Sequence, residues 1–210
     1  MTAAIVLAAG HADRMGSNKL VLPLGAGTVI GRVVLTALAA CDRVVVVIGL
    51  HDQETRTAAE QAAHSAGAGQ RVEVVEAVTY DPGMFISIQE GLRHTKDADA
   101  VLIFPGDIPL VLPDTARAVR DAVLRSKVGV AVPACGGRRG HPVAIHARHI
   151  AELLSMSEHA TLREFMAGLS SPAEVVAVED TGMLLDMDTP EEYETVRRRF
   201  DSAALSAREV

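Results

Sequence analysis

The chain has 210 residues, a formal net charge of −7, 49% hydrophobic and 22% charged residues. This composition indicates a globular protein of ordinary domain size and excludes a membrane helix, because no run approaches the ~18 apolar residues that a span requires. The acidic charge and the 3% aromatic content also exclude nucleic acid as a partner, since such binding needs basic patches and stacking rings.

Cysteine usage and the first residues both predict a cytoplasmic protein. Cys41 and Cys135 lie far apart and match no metal-ligand spacing, so reduced thiols are expected. No basic segment precedes the first apolar run, so a signal peptide is not predicted. We therefore expect a protein that binds neither a membrane nor nucleic acid.

Short Val- and Ile-rich runs alternate with helical stretches along the chain. This alternation is typical of an α/β fold with a mostly parallel, Rossmann-like sheet and helices on both faces. Strands are predicted at 3–9, 43–49, 72–76, 100–104, 128–133, 143–146 and 175–178. Helices are predicted at 28–40, 54–66, 84–95, 113–125, 148–154, 161–169 and 189–200. We expect a single domain over residues 1–200 and a disordered tail over 201–210, where small and charged residues lack periodicity.

The first predicted strand, residues 3–9, ends in a glycine loop with two cations. Gly10 and Gly16 permit close approach of the backbone to a ligand, and Arg14 and Lys19 add positive charge. The spacing matches neither the P-loop nor the dinucleotide fingerprint. The loop therefore predicts a triphosphate site of another kind.

An aspartate follows the predicted strand at 100–104. The chain continues through Pro105 and Gly106 into Asp107, and ligands of an open parallel sheet gather beyond the carboxyl ends of its strands. A carboxylate fixed there suits Mg²⁺, which takes one or two carboxylates together with phosphate oxygens. A turn or helix-capping aspartate is the alternative.

Two further carboxylates precede the last predicted helix. Asp186 and Asp188 point the same way along an extended segment, because side chains alternate with period two. Thr189, Pro190 and Glu192 form a helix-start signal, and a carboxylate is favoured beside a helix N-terminus. We expect Asp188 to be the second metal ligand, with Asp186 as the rival. The alternative that both satisfy backbone donors stays open.

Two other segments hold candidate ligand contacts. Near residue 84, Gly83 permits a tight turn into a helix whose free N–H groups favour anions, and Ser87 adds a hydroxyl. The glycine-rich stretch 136–142 contains Arg138, Arg139 and His141. The arginines suit an anionic second substrate or form a solvated basic turn.

These motifs resemble the nucleotidyltransferases related to molybdenum cofactor synthesis, the MobA/MocA-like family. The resemblance is strongest in the opening signature, L-A-A-G followed by R-M-G and a lysine; the segments G-D-x-P, D-M-D-T-P, G-x-x-G-H-P and G-M-x-x-S also match. It implies a fold like that of the nucleotide-diphospho-sugar transferases and a magnesium site on Asp107 and Asp188. It implies catalytic roles for Arg14, Lys19 and Asp107, and acceptor binding by Arg138, Arg139, His141 and Asp186. The implied nucleotide contacts are Leu7, Ala8, Ala9, Gly10, Arg14, Gly16, Lys19, Gly83, Ser87, Pro105, Gly106 and Asp107.

The Ala8-Ala9-Gly10 form resembles the cytidylyltransferase branch, so CTP is expected over GTP. We expect transfer of a nucleoside monophosphate to a phosphorylated acceptor, molybdopterin being favoured and a molybdoenzyme or its accessory protein being a partner. The segment 155–164 lacks the G-D-x-G-A-R sequence that such enzymes use at the acceptor, so a sugar phosphate or another small phospho-acceptor stays open. An oxidoreductase using a nicotinamide nucleotide and a nonenzymatic partner protein are the remaining alternatives.

Overall fold

The computed structural model describes residues 1–10, 18–77 and 84–206. Its strands are β1 Thr2–Ala8, β2 Pro23–Leu24, β3 Gly27–Thr28, β4 Arg43–Ile48, β5 Val72–Glu76, β6 Ala100–Pro105, β7 Val130–Cys135, β8 Arg138–Arg139, β9 Val143–His146 and β10 Glu174–Ala177. Its α-helices are α1 Val29–Ala40, α2 Gln53–Ser65, α3 Met84–Arg93, α4 Pro113–Arg125, α5 Ile150–Ser155, α6 Leu162–Ala167 and α7 Pro190–Ser206. None of the described helices has the length and apolar character needed to cross a membrane.

The main sheet has the strand order β10-β7-β9-β6-β1-β4-β5, with β8 paired to β7. Strands β6, β1, β4 and β5 pair in parallel, and β10 is parallel to β7. Strand β9 is antiparallel to both β6 and β7, so β6 and β7 run in the same direction. The mostly parallel sheet predicted from the sequence is confirmed. The carboxyl ends of β1, β6 and β7 consequently share one edge, which we call the active-site edge.

Both faces of the sheet are buried, which explains the unbroken apolar runs of its central strands. Ala4 and Val6 of β1 point into a core shared with α1, α2, α4 and α7. Their neighbours Ala3 and Ile5 point to the other face, where α3, α5 and α6 pack. The helices therefore cover both faces, as predicted for a doubly wound α/β domain.

The structure differs from the predicted elements mainly at short strands and at the C-terminus. Strands β2, β3 and β8 have two residues each, too few to leave a periodic pattern. Helix α7 continues to Ser206, six residues beyond the helix end predicted at residue 200. Alanines and a leucine at 203–205 favour the extra helical turn.

Helix α3 lies unusually close to β1, because Gly91 has no side chain. A Cβ atom at this position would lie 2.6 Å from Cγ2 of the fully buried Ile5. We expect Gly91→Ala to lower the free energy of unfolding by about 1–3 kcal/mol through overpacking, despite the better helix propensity of alanine. Urea unfolding measures the change. Gly27→Ala is the control, since its Cβ would have no heavy atom within 4 Å; equal losses in both variants would contradict the contact.

Candidate active site

The ends of β1 and β6 form the floor of the candidate site. Leu7 is paired with Pro105, and the Gly106 N–H donates to the Leu7 carbonyl over 2.8 Å. A Cβ atom on Gly106 would lie only 2.7 Å from that carbonyl oxygen. Glycine is therefore required here, and the close approach places Asp107 near the carboxyl end of β1.

Lys19 joins three segments of chain at the active-site edge. Its Nζ donates to Asp107 Oδ2 over 2.6 Å and to Asp188 Oδ1 over 2.7 Å. Only 9% of the Lys19 surface is exposed. The structure thus brings together three candidate residues that lie far apart in the sequence: Lys19 in the segment between β1 and β2, Asp107 just after β6, and Asp188 before α7.

The electrostatics of this cluster favour a cation between the two carboxylates. Burial alone lowers the pKa of Lys19, but the hydrogen bonds and negative charges of Asp107 and Asp188 outweigh it, and the net pKa is raised. Lys19 is therefore charged at neutral pH.

A divalent metal fits the same two carboxylates. Since one oxygen of each lies within 2.7 Å of a single nitrogen, the pair is close enough to share one cation. The described residues contain no group of three or more His, Cys, Asp or Glu suited to a metal. Substrate oxygens and water would complete the coordination, as is usual for Mg²⁺.

The backbone around Lys19 is anchored to α2 by Asn18. The Asn18 Nδ2 donates to Asp52 Oδ1 over 3.2 Å and to Thr55 Oγ1 over 3.0 Å. Its Oδ1 accepts from the Leu20 N–H, and Asp52 caps α2 by accepting from the Thr55 N–H over 3.0 Å. This contact cannot be recognised in the sequence, because a helix cap at Asp52 is a local signal but its distant partner Asn18 is not.

The predicted helix-start signal before α7 positions Asp188. The backbone N–H groups of Asp188 and Thr189 donate to Glu192 Oε2 over 2.8 and 2.9 Å, and the Glu192 N–H donates to Thr189 Oγ1. Met187 is fully buried, whereas its two neighbours, Asp186 and Asp188, are at least partly exposed. Of these rivals, the structure pairs Asp188 with Lys19.

His141 borders the cluster from the loop between β8 and β9. Burial lowers its pKa, and the charges of Asp107 and Asp186 only partly oppose this effect. The buried Nδ1 of His141 has no hydrogen-bond partner among the described residues. A neutral ring with an open nitrogen is suited to a hydrogen bond with a substrate.

The remaining predicted residues are less closely tied to the cluster. Arg138 and Arg139 are exposed in a hairpin whose turn residues, Gly136 and Gly137, have φ of +55° and +78°. This hairpin extends from the active-site edge, since β7 runs parallel to β6.

Ser87 is buried in α3. The predicted residues Arg14, Gly16 and Gly83 lie outside the described residues, whereas Ala8, Ala9 and Gly10 lie at the end of β1 and directly after it.

A family model described as the MobA-like NTP transferase domain matches residues 4–175. The chain belongs to this family. The molybdenum cofactor cytidylyltransferase of Escherichia coli K12 is 25% identical over 197 residues, covering 93% of this chain and 95% of that protein. The molybdenum cofactor guanylyltransferase of Rhodopseudomonas palustris BisB5 is 30% identical over 147 residues, covering 68% of this chain and 64% of that protein. A solved nucleotidyl transferase from Methanothermobacter, Mth528, has a TM-score of 0.79 and 26% identity, covering 97% and 99% of the two chains.

Family membership makes the chain a nucleotidyltransferase with the fold of the nucleotide-diphospho-sugar transferases. Members of the family typically depend on a divalent metal. The family match therefore favours nucleotidyl transfer over the oxidoreductase and the nonenzymatic partner considered from the sequence.

The depressed pKa of His141 predicts a pH dependence of stability. Unfolded histidine takes up a proton near pH 6.5, whereas folded His141 stays neutral until a lower pH. The free energy of unfolding should therefore fall as the pH drops below about 6.5. Urea unfolding of the wild type and His141→Gln between pH 7.5 and 5, without divalent metal, measures this, and the variant should lose part of the decline. His159→Gln, which removes an exposed ring, is the control; an identical decline in wild type and His141→Gln would contradict the prediction.

Proposed function

We propose that this nucleotidyltransferase moves CMP from CTP to a phosphorylated small-molecule acceptor, with release of pyrophosphate, and that its metal is Mg²⁺. Molybdopterin is the favoured acceptor. The observation that supports the proposal is the Lys19 ammonium between Asp107 and Asp188 at the active-site edge. Clustered carboxylates and a buried cation beside a glycine loop suit a metal-bound triphosphate.

The nucleotide lies along the active-site edge in this proposal. The loop from Gly10 to Lys19 holds the triphosphate, with Arg14 and Lys19 as its cations and Gly16 permitting close approach. The ends of β1 and β6 supply the floor, and Gly83 and Ser87 are further proposed nucleotide contacts. The floor residues are Leu7, Ala8, Ala9, Pro105 and Gly106.

The chain accelerates the transfer by orientation and charge. An oxygen of the acceptor phosphate attacks the α-phosphorus, the bond from that phosphorus to the bridging oxygen breaks, and pyrophosphate leaves towards Lys19 and Arg14. Fixed positive charges facing the developing negative charge lower the barrier without a covalent enzyme intermediate. Asp107 and Asp188 would hold the divalent metal, which when bound neutralises phosphate charge.

The acceptor lies on the other side of the carboxylates, towards His141, Asp186, Arg138 and Arg139. Exposed arginines bind phosphate with charge-assisted, often bidentate hydrogen bonds. The open nitrogen of His141 supplies a second contact. A molybdoenzyme or its accessory protein would receive a molybdopterin product.

A different phospho-acceptor is the second candidate, and the loop between α5 and α6 favours it. The Thr161 N–H donates to Glu164 Oε2 over 2.7 Å, and the Glu164 N–H donates to Thr161 Oγ1 over 3.1 Å. This segment therefore forms a helix cap, with none of the glycines or the aspartate that accompany molybdopterin in the family pattern. A sugar phosphate or another small phosphate ester suits the remaining contacts.

Nucleotide and acceptor choice are measured by pyrophosphate release. Purified protein with Mg²⁺ is given CTP, GTP, ATP or UTP in turn, each with molybdopterin, a sugar phosphate or no acceptor. We expect turnover with CTP and molybdopterin at least about tenfold above that with GTP. Preferred GTP turnover would overturn the base assignment alone, and turnover only with a sugar phosphate would favour the second candidate.

The two carboxylates are tested by substitution. Asp107→Asn and Asp188→Asn should each reduce pyrophosphate release by about a hundredfold, since metal-borne charge stabilisation is worth several kcal/mol. Removal of divalent metal by EDTA should lower pyrophosphate release by the wild type to a similar extent, and adding Mg²⁺ should restore it. Asp201→Asn, an exposed carboxylate of α7, is the matched control and should retain full activity. Near-normal turnover in Asp107→Asn would refute the assignment.

A further inference from the structure

A cavity separate from the active-site carboxylates lies between α1, α7 and the two segments that connect to Asp107 and Asp188. Its volume is about 600 Å³, within the range of small-molecule pockets. Leu35, Leu110, Leu112 and Phe200 contribute apolar surface. Leu112 is 50% exposed.

Two guanidinium groups line this cavity without an ion-pair partner among the described residues. Arg32 projects from α1, and its Nε is buried with no hydrogen-bond partner. Its guanidinium carbon lies 4.7 Å from the centre of the Phe200 ring, which fixes the group against α7. Arg199 lies on α7 and, within residues 1–10, 18–77 and 84–206, its guanidinium donates only to Thr181 Oγ1, over 3.0 Å.

The two acidic residues at the cavity, Asp180 and Glu179, form no ion pair with these arginines in the described part of the chain. Both oxygens of the buried Asp180 accept backbone N–H groups, from Leu112 and Gly182, each over 2.9 Å. Glu179 is exposed and forms no ion pair within the described part of the chain. The cavity therefore combines apolar lining with two guanidinium groups, the partly buried Arg32 and the exposed Arg199, neither of which forms an ion pair with a described residue.

We propose that this cavity, which we call the Arg32 cavity, is a second ligand site for a small organic anion, with an apolar body and one oxyanion group. The apolar body would lie against Leu35, Leu110 and Phe200, while the oxyanion accepts hydrogen bonds from Arg32 and Arg199. The Nε of the partly buried Arg32 has no hydrogen-bond partner among the described residues, so Arg32 gains more from such a bond than a guanidinium that is already paired. Arg199 is exposed and adds a second donor at the mouth of the cavity. The site differs from the proposed nucleotide site in its residues, so it stands whether or not the proposed function holds.

Two matched fluorescent probes test the ligand class. 1-Anilinonaphthalene-8-sulfonate has an apolar ring system with a sulfonate, and N-phenyl-1-naphthylamine has the same rings without it. We expect the sulfonate probe to bind about tenfold more tightly, because charged hydrogen bonds contribute that order of affinity. The difference should persist with and without CTP and Mg²⁺, which separates this site from the nucleotide site. Equal binding of the two probes would overturn the proposal without recourse to any variant.

Arginine substitutions locate the site. Arg32→Met and Arg199→Met keep much of the side-chain length and remove the charge, so each should weaken the sulfonate probe severalfold and leave the uncharged probe unchanged. Arg198→Met is the matched control, since Arg198 neighbours Arg199 but contacts Glu194 and Thr195 on its own helix. Unchanged unfolding midpoints verify that the variants fold. Equal weakening in all three variants, or none in any, would overturn the location.

Competition identifies the oxyanion. Octanoate and octyl phosphate should each displace the sulfonate probe from wild-type protein, and octanol should not. The stronger of the two competitors shows whether a carboxylate or a phosphate is preferred. Displacement by octanol as effective as by the anions would contradict a role for the arginines.

Discussion

The active-site edge depends on the ammonium group of Lys19 between two carboxylates. Asp107 and Asp188 approach the same nitrogen within 2.7 Å, and two such negative charges without a cation between them would repel. Removing Lys19 from water costs free energy, which two charged hydrogen bonds offset. The bridge thereby fixes the relative position of a loop, a strand end and a helix start that are far apart in sequence.

The same arrangement accounts for the need for a further cation in the proposed reaction. Lys19 already balances two carboxylates, so a bound triphosphate adds negative charge that one ammonium cannot neutralise. The described residues provide no third acidic or histidine ligand in a metal-binding group. We infer that phosphate oxygens complete the coordination, which would make metal and nucleotide binding mutually reinforcing. The depressed pKa of His141 fits this picture, since a neutral ring adds no charge to the site.

Most of the sheet could be predicted from the sequence, because apolar runs and intervening helical periods are local signals. The carboxylates were also predictable: strand ends and the cap at Thr189 indicate their places, and the fold brings such ends to one edge. Contacts between distant side chains were not. The hydrogen bonds from Asn18 to Asp52 and Thr55 depend on how α2 packs beside the loop, and no local pattern encodes that. The extra turn of α7 could not be predicted from pattern, because residues 201–206 have no apolar periodicity and only their helix propensity favours it.

The Arg32 cavity and the active site are built from the same connecting segments. One wall of the cavity, residues 109–113, follows Asp107 directly along the chain. The other wall, residues 179–182, precedes Asp188. A Cβ atom on Gly182 would overlap the Leu110 carbonyl, so these walls touch backbone to backbone. The Asp180 side chain reinforces the contact by accepting the Leu112 N–H. The cavity walls and the two carboxylates are therefore joined by short stretches of chain, since Pro109 follows Asp107 by two residues and Gly182 precedes Asp188 by six.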